Sequence, residues 1–441
     1  MKTILRVVRV MVPALVAVPA LAGAQGAAEA RPISVDEAVR LAQQNAPATV
    51  AARNSLRTGA SAMRQTLMGY LPQLQLSTGA TQRGGTQLVQ GVPLPTTGNP
   101  WSYSRSLSFG TVTVFDGGSR WNTYRAQSRQ LDANEANEVL QNYNVALSVK
   151  TQYYAVLAAR ESEAAANRQL EQAQQQLRVS TAKMNAGAAT RADSLAGAIA
   201  VGNAQLAILN AQNSLRNANA ALTRLVATPF SVTANPADTT AVPPIDIDDA
   251  TLEKMVLDGP SVRQSTAALE AAKAQHRAAR APYFPSLSVN ASYAQNPATS
   301  DKFNWGGGAT ATSTNLGFSL SLNIFDRFSR ENGIVSARVA EDNAEASVRD
   351  ARLFAQQNLT TQLNTFRTAM QSIELNRLQI ASAEENVRVV TQQYNLGTKQ
   401  QLDLLQAQTS LDQARIGLIT SRQNARIAKA NIETLIGRDI R

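Results

Sequence analysis

The chain has 441 residues, a formal net charge of +10, a single histidine and no cysteine. Without cysteine it forms no disulfide or thiolate metal site, and His276 alone gives no basis for a catalytic triad, a zinc site or a haem site. We therefore predict no enzymatic activity, no cofactor and no metal, and the modest basic excess predicts no nucleic-acid partner.

The N-terminal segment, residues 1–24, has the pattern of a secretory signal peptide. Three basic residues precede an apolar run over 10–22, and small residues at 22–24 form a cleavage site. A membrane anchor is the alternative, but the run is short and contains Pro13 and Pro19. No later apolar run reaches the ~18 residues of a membrane helix, so we expect no helical span in the mature chain.

Two pairs of amphipathic strands are predicted, at about 73–115 and 286–325. In the second pair, large apolar residues alternate with small polar ones, namely Leu316, Phe318, Leu320, Leu322 and Ile324. Strands of about 10 residues with this alternation are typical of outer-membrane barrels. In the first pair the phase slips near Gly110, which indicates a bulge. Aromatic residues flank the strands as interfacial girdles do: Tyr70, Phe115, Tyr283, Phe284 and Phe325 at one end, Trp101, Tyr103, Phe303 and Trp305 near the other. A soluble antiparallel sandwich is the alternative.

Long helices are predicted where proline is absent, over 101–228 and 298–441. Apolar residues there recur every seven positions, as in helices that pack side by side: Val201, Ile208, Leu215 and Leu222, then Leu411, Leu418, Ala425 and Ile432. The pattern predicts two helical hairpins, 119–226 and 330–436. Gly187 and Gly397 lie at their turns, where a left-handed residue is most easily supplied by glycine.

The two halves of the chain repeat one another. Gly187 and Asp193 correspond to Gly397 and Asp403 at a shift of 210 residues. We predict a first structural repeat over 25–226, a linker over 227–247, a second repeat over 248–437 and a C-terminal tail over 438–441. The predicted fold class is mainly α with a β membrane part, built from tandem-duplicated helical hairpins and four amphipathic strands per chain. Four strands cannot close a barrel in lipid, so the chain must assemble with further copies.

The segment 394–399 reads Tyr-Asn-Leu-Gly-Thr-Lys and is followed by a fixed series of residues: Asp403, Leu405, Ala407, Leu411, Ala414, Leu418, Leu435 and Gly437. This motif, with the duplication and the paired strands, resembles the TolC-like outer-membrane efflux and secretion channel family over almost all of 33–437. The resemblance implies a homotrimer in the outer membrane of a Gram-negative cell. Its twelve-stranded β-barrel would continue as an α-helical barrel through the periplasm. It also implies the function of a passive exit channel in a tripartite efflux or type I secretion system, with a periplasmic adaptor and an inner-membrane pump as partners.

The resemblance further implies a periplasmic gate at the hairpin tips. Asp403 falls on the family's gate-ring aspartate, while Gln406 stands where a second acidic residue often lies. Asp193 matches the acidic partner in the first repeat, Lys399 replaces an arginine that pairs with it, and Tyr394 matches an aromatic residue of the closed tip. The alternative is that both aspartates only cap their helices, and the two roles are compatible.

Two other functions are considered besides an export channel: a trimeric coiled-coil spacer or adhesin, and a periplasmic adaptor without a channel. A spacer or adhesin would need a passenger head or surface-facing repeats, and this sequence shows neither. An adaptor has a β-rich domain interrupted by one hairpin, whereas here two hairpins each follow an amphipathic strand pair. Drugs, metals and proteins are all compatible cargo. We interpret His276 as a polar residue on a helix face.

Overall fold

The computed structural model describes residues 30–82, 86–89, 92–95, 101–238, 242–297 and 310–440. The predicted signal peptide and the aromatic residues Phe303 and Trp305 lie outside these ranges. Within them the first half of the chain contains β1 (Arg31–Ile33), α1 (Val35–Asn45), α2 (Pro47–Met68), β2 (Leu74–Gln82), β3 (Thr86–Val89), β4 (Val92–Pro95), β5 (Trp101–Phe115), α3 (Ser119–Asn185), α4 (Arg191–Val226) and β6 (Val232–Ala234). The second half contains α5 (Asp249–Leu257), α6 (Pro260–Ala279), β7 (Ser286–Pro297), β8 (Thr310–Ser321), α7 (Ser329–Asn395) and α8 (Gln401–Ile436).

Two antiparallel helical hairpins dominate the fold. Each has a 67-residue arm, α3 or α7, and a 36-residue arm, α4 or α8. At ~1.5 Å per residue these arms are about 100 Å and about 54 Å long. The rest of each long arm is covered by a shorter helix, because α2 packs on α3 and α6 packs between α3 and α7. Since α8 also packs on α3, the two hairpins form one continuous helical layer.

The heptad stripes form the core of this layer. On α7, Leu359, Phe366 and Ile373 are buried and pack with Ile432 of α8. On α4 the burial is one-sided, and a second apolar row stays exposed: Leu195, Ile199, Leu206 and Leu209. A helix that is apolar on more than one side is suited to contact more than one neighbour.

Helix α4 departs from the expectation that the mature chain has no helical span. Among the described residues it is the one helix whose length and composition would allow it to cross a membrane. The cause is its composition, because no charged residue lies between Asp193 and Arg216 and alanine fills much of the interval. The interval also contains Asn203 and Gln205, and α4 packs along α3 in the helical layer.

The four predicted membrane strands form one antiparallel sheet in the order β2-β5-β7-β8. Strands β5 and β7 join the two halves of the chain, with Leu107 opposite Tyr293. The pairing shifts between Phe109 and Val112, which confirms the bulge predicted at Gly110. Strands β2 and β8 form the two edges of this sheet and have no further strand beside them within the described chain.

The two faces of the sheet differ in chemistry. One face exposes large apolar residues: Leu74, Leu76, Phe109, Leu316, Phe318 and Leu320, of which Leu320 is 72% exposed. The other face carries serine pairs across the strands, with Oγ–Oγ distances of 2.6 Å for Ser77 and Ser106 and 2.9 Å for Ser288 and Ser319. The prediction that the last strand extends to Ile324 is wrong. Strand β8 ends at Ser321, which lies opposite Ser286. Pro285 and a 3₁₀ turn before it end the partner strand at that point.

Part of the predicted linker, 227–247, is ordered against the helical layer. Its strand β6 pairs in parallel with β1, and Val232 and Ala234 are fully buried. Tyr153 of α3, also fully buried, accepts from the backbone N–H of Asn235 at 3.0 Å, and its hydroxyl lies against both the carbonyl of Ile33, at 2.9 Å, and the carboxylate of Asp238. One side chain of the long helix therefore fixes both short strands.

Candidate functional site

Both hairpin turns end their long helices in the same way. Gly187 and Gly397 have φ values of 71° and 78°, as predicted for left-handed turn glycines. The N–H of Ala188 donates to the carbonyl of Lys183 at 2.8 Å, and the N–H of Thr398 donates to that of Gln393 at 3.0 Å. This is the Schellman arrangement, which satisfies carbonyls at the end of a helix and reverses the chain tightly.

The two predicted gate aspartates are the third residues of α4 and α8, and both take part in capping boxes. The Asp193 carboxylate accepts from the backbone N–H of Thr190 at 2.9 Å and from its hydroxyl at 2.8 Å. The Asp403 carboxylate accepts from the backbone N–H of Gln400 at 3.1 Å. The capping interpretation of both residues is therefore confirmed.

Lys399 lies beside Asp403 rather than Asp193. Its Nζ is 3.6 Å from Asp403 Oδ1, and both side chains are more than one-third exposed. The expected ion pair between Asp193 and Lys399 is not formed within the chain: the Asp193 carboxylate binds the start of its own helix, and Lys399 pairs with Asp403 instead. An exposed pair such as Lys399–Asp403 contributes only ~0–1 kcal/mol.

Tyr394 is the most enclosed of the predicted site residues. It is 6% exposed and packs with Val390, Leu404 and Val179 in a small core between the hairpins. Its hydroxyl donates to Oε1 of Gln401 at 3.4 Å. Burial raises the pKa of the Tyr394 phenol, and the nearby negative charge of Asp193 raises it further, so the ring remains neutral at physiological pH.

The structure adds one residue that the sequence analysis missed. Lys183, in the last turn of α3, donates to the backbone carbonyl of Tyr394 at 2.8 Å, and its Nζ lies 3.9 Å from the centre of the Tyr394 ring. A single ammonium thus joins the first hairpin to the second through a hydrogen bond and a cation–π contact. Alignment of the two repeats indicates its position only weakly: Lys183 directly precedes Met184, which is the counterpart of Tyr394 at the 210-residue shift.

These residues surround a cavity of about 680 Å³ between the two tips, lined among others by Lys183, Thr190, Asp193, Tyr394, Lys399 and Gln401. The structure therefore brings together Asp193, Tyr394, Lys399 and Gly397, whereas Asp403 and Gly187 lie at the same tip outside the cavity wall. No cluster of three metal-ligating side chains occurs among the described residues. The arrangement is suited to holding helix ends together and to presenting charge.

A family model described as "Outer membrane efflux protein" matches the chain twice, over residues 38–228 and 252–438. The two matched segments each contain one helical hairpin and two strands of the sheet. A search of curated proteins gives no match.

Three solved structures illustrate the likeness of fold. MtrE, the outer membrane channel of Neisseria gonorrhoeae in its open state, has a TM-score of 0.75 at 18% identity, covering 92% of this chain and 89% of its own. The outer membrane protein VceC of Vibrio cholerae has a TM-score of 0.73 at 18% identity, with coverages of 92% and 97%. CusC, described for its transmembrane channel formation, has a TM-score of 0.75 at 18% identity, with coverages of 93% and 94%.

Proposed function

Since the chain belongs to the outer membrane efflux protein family, the TolC-like channels of the outer membrane, we propose that it forms the exit channel of a tripartite efflux or type I secretion system. The observation that carries the proposal is a four-stranded sheet with an exposed apolar face, attached to two helical hairpins that extend far beyond it. Such a chain joins a membrane segment to a long periplasmic segment. The channel is passive, and the pump supplies the energy for transport.

The sheet supports assembly from several copies. Its edge strands β2 and β8 would leave backbone N–H and C=O groups unsatisfied in lipid. Because β2 and β8 run antiparallel to one another across the four strands, β8 of one copy can pair with β2 of the next and continue the sheet. Three copies give a twelve-stranded barrel, an even number within the range of outer-membrane barrels.

The orientation of the sheet follows from its two faces. The apolar face would contact lipid, and the serine-rich face would line the water-filled interior. Exposed aromatic residues lie where the strands meet the helices, namely Tyr70, Phe115, Tyr283, Phe284 and Phe325. This is the position of an interfacial girdle on the periplasmic side.

The helical layer supports a tunnel. Three chains supply six hairpins, and the exposed apolar rows of α4 and α7 are suited to packing between neighbouring copies. On α7 this row includes Leu353, Phe354, Leu375 and Leu378. The hairpin turns at Gly187 and Gly397 would form the periplasmic tip, which docks on the adaptor protein and the inner-membrane pump.

At this tip Asp193, Tyr394, Lys399 and Asp403 form the proposed gate. Three copies of Asp403 would make a carboxylate ring that attracts cations. Asp403→Asn keeps an oxygen acceptor for the cap but removes the charge, so we expect a lower cation-to-anion permeability ratio with unchanged thermal stability. An unchanged permeability ratio in this variant would reject the ring.

The division of the chain follows from the same proposal. Residues 1–24 act as the export signal, 25–226 and 248–437 are the two structural repeats, 227–247 joins them, and 438–441 is the tail. Export through the inner membrane is required for a protein that inserts into the outer one.

The experiment that tests the channel is planar-bilayer conductance of the mature protein purified in detergent. Small, stable, cation-selective conductance supports the proposal. Two adjacent residues of β8 give a matched comparison, because Phe318 is on the apolar face and Ser319 is on the serine face. Phe318→Arg should block insertion, at a cost of ~2–4 kcal/mol near the bilayer midplane, whereas Ser319→Arg should insert and alter conductance. A protein that stays in the aqueous phase without detergent and conducts nothing would reject the channel in favour of a spacer or an adaptor.

A further inference from the structure

The contact between Lys183 and Tyr394 lies where the two hairpins of one chain meet at their tips. The ammonium binds the carbonyl of Tyr394, which also accepts from the N–H of Gly397 at 3.1 Å within the turn of the second hairpin. A cation at this position also meets the negative end of the α7 dipole. Lys183 therefore interacts with the end of α7 in three ways: a hydrogen bond to the backbone carbonyl of Tyr394, a cation–π contact with its ring, and a favourable interaction of its charge with the helix dipole.

Other contacts of Tyr394 show that its position depends on both hairpins. Val179, one turn before Lys183 on α3, packs on the small core that contains Tyr394 and Leu404. Gln401 in the first turn of α8 accepts from the tyrosine hydroxyl. The ring is thus held by α8 at its hydroxyl end and by α3 at its face, so separation of the hairpins must break the Lys183 contact.

The two repeats differ at this point. At the 210-residue shift the counterpart of Lys183 is Gln393, and the counterpart of Tyr394 is Met184. Neither a cation nor an aromatic ring is present in this second combination. The contact can therefore form between the two hairpins of one chain. It cannot form between the second hairpin of one chain and the first hairpin of a neighbouring chain.

We propose that Lys183 is a positioning residue of the gate: it holds Tyr394 and the end of α7 against α3, and so keeps the two hairpin tips of one chain together in the closed state. This inference rests on the proposed channel function. In the assembled channel, each of the three chains has one copy of this contact between its own two hairpin tips, whereas the hairpin tips of neighbouring chains lack it. Opening of the tip within a chain then requires release of Lys183.

The test is single-channel recording in planar bilayers with the mature protein and three variants. Lys183→Met removes the charge and keeps the length of the side chain, Lys183→Arg keeps a cation that can bind a carbonyl and stack on a ring, and Lys254→Met is the matched control. Lys254 is exposed on α5, away from the tip. The occupancy of the open level should rise about tenfold or more in Lys183→Met, since a charge-assisted hydrogen bond and a cation–π contact are lost together. Lys183→Arg should stay within about twofold of the wild type, because the guanidinium can replace both contacts.

The Tyr394 ring provides a second comparison that does not depend on Lys183 variants folding well. Tyr394→Phe keeps the ring and should remain closed, whereas Tyr394→Leu loses the ring, keeps the carbonyl contact and should open to an intermediate degree. Thermal stability of each variant in detergent separates loss of the contact from loss of the fold.

The outcomes are distinguishable. A wild-type channel with equal open occupancy in Lys183→Met and Lys254→Met overturns the role of Lys183 and leaves the channel function intact. The role of Lys183 is also overturned if Lys183→Arg opens as much as Lys183→Met, because the arginine retains a cation that should keep the tip closed. Absence of conductance in every variant and in the wild type overturns the channel function, and the inference with it.

Discussion

Gly117 provides the sharpest test of how the membrane sheet is joined to the helices. It lies between β5 and α3 with φ +65°, and its counterpart in the second half of the chain is Arg327, with φ +56°. A Cβ added to Gly117 would lie 2.3 Å from Phe284 Cβ and 3.0 Å from the carbonyl oxygen of Ala281. Gly117→Ala should therefore destabilise the protein both by backbone strain and by overpacking.

The expected cost can be estimated from these two causes. A left-handed conformation costs a residue with a Cβ ~1–2 kcal/mol. Overpacking against the chain at Phe284 costs a further ~1–3 kcal/mol. The sum is about 2–5 kcal/mol, which for a chain of 441 residues corresponds to a fall of roughly 2–5 °C in Tm. Arg327→Gly is the matched control in the opposite direction, because it removes left-handed strain and should stabilise by about 1 kcal/mol.

Thermal unfolding of the detergent-solubilised protein, followed by circular dichroism at one fixed scan rate, measures both variants. We expect a lower Tm for Gly117→Ala and an equal or higher Tm for Arg327→Gly. An unchanged Tm for Gly117→Ala, or a fall in both variants, would refute it.

Three further changes test other parts of the structure. Tyr153→Phe removes the hydroxyl that contacts the Ile33 carbonyl and the Asp238 carboxylate, so we expect a loss of ~1–3 kcal/mol in unfolding free energy; an unchanged Tm would show that β1 and β6 are fixed by other contacts. Gly259→Ala has an ordinary φ but places a Cβ 2.1 Å from the Leu435 carbonyl oxygen, so the overpacking alone should cost ~1–3 kcal/mol, seen as a lower Tm. Burial raises the pKa of the Asp412 carboxyl, so its ionised form is the one that the folded state disfavours, and wild-type stability falls as pH rises through that pKa. Asp412→Asn should therefore stabilise the protein at pH 7, by no more than ~1 kcal/mol because the group is partly solvated, and the gain should vanish below the ordinary carboxyl pKa. An equal gain in stability at pH 7 and below the ordinary carboxyl pKa would show that the ionised carboxylate of Asp412 is not the cause.

The features that were predictable from the sequence are those set by local patterns. The absence of proline and the seven-residue repeat predicted the long helices, since both act through contacts within a few turns. The turn glycines Gly187 and Gly397 were predictable because a left-handed residue is needed to reverse the chain, and the bulge at Gly110 was visible as a phase slip in the alternation of side chains.

The features that were not predictable depend on contacts between distant parts of the chain. Strands β1 and β6 have three residues each, too few to show a period, and their pairing is supported by Tyr153, a residue far from both in the chain. The end of β8 is set by Pro285 at the start of its partner strand. His276 is not only a polar residue on a helix face, because its Nδ1 lies 2.6 Å from Glu341 on α7.

The candidate site was predictable only where a local motif determines it. The positions of the two aspartates at helix starts follow from the turn motif. The partner of Lys399 and the contact from Lys183 depend on how two hairpins lie side by side, which no local pattern encodes. Lys183 and Tyr394 are 211 positions apart in the chain.

The proposed closed barrel of three chains can be tested by disulfide cross-linking between β2 and β8. The chain contains no cysteine, so every cross-link reports an introduced pair. Cysteines placed on the serine-rich face, scanned over Gln75 and Ser77 of β2 against Ser319 and Ser321 of β8, should yield on oxidation a covalent product of three chains and nothing larger. Products that continue beyond three chains, or monomer alone at every pair in a protein that inserts into membranes, would exclude a closed barrel of three chains.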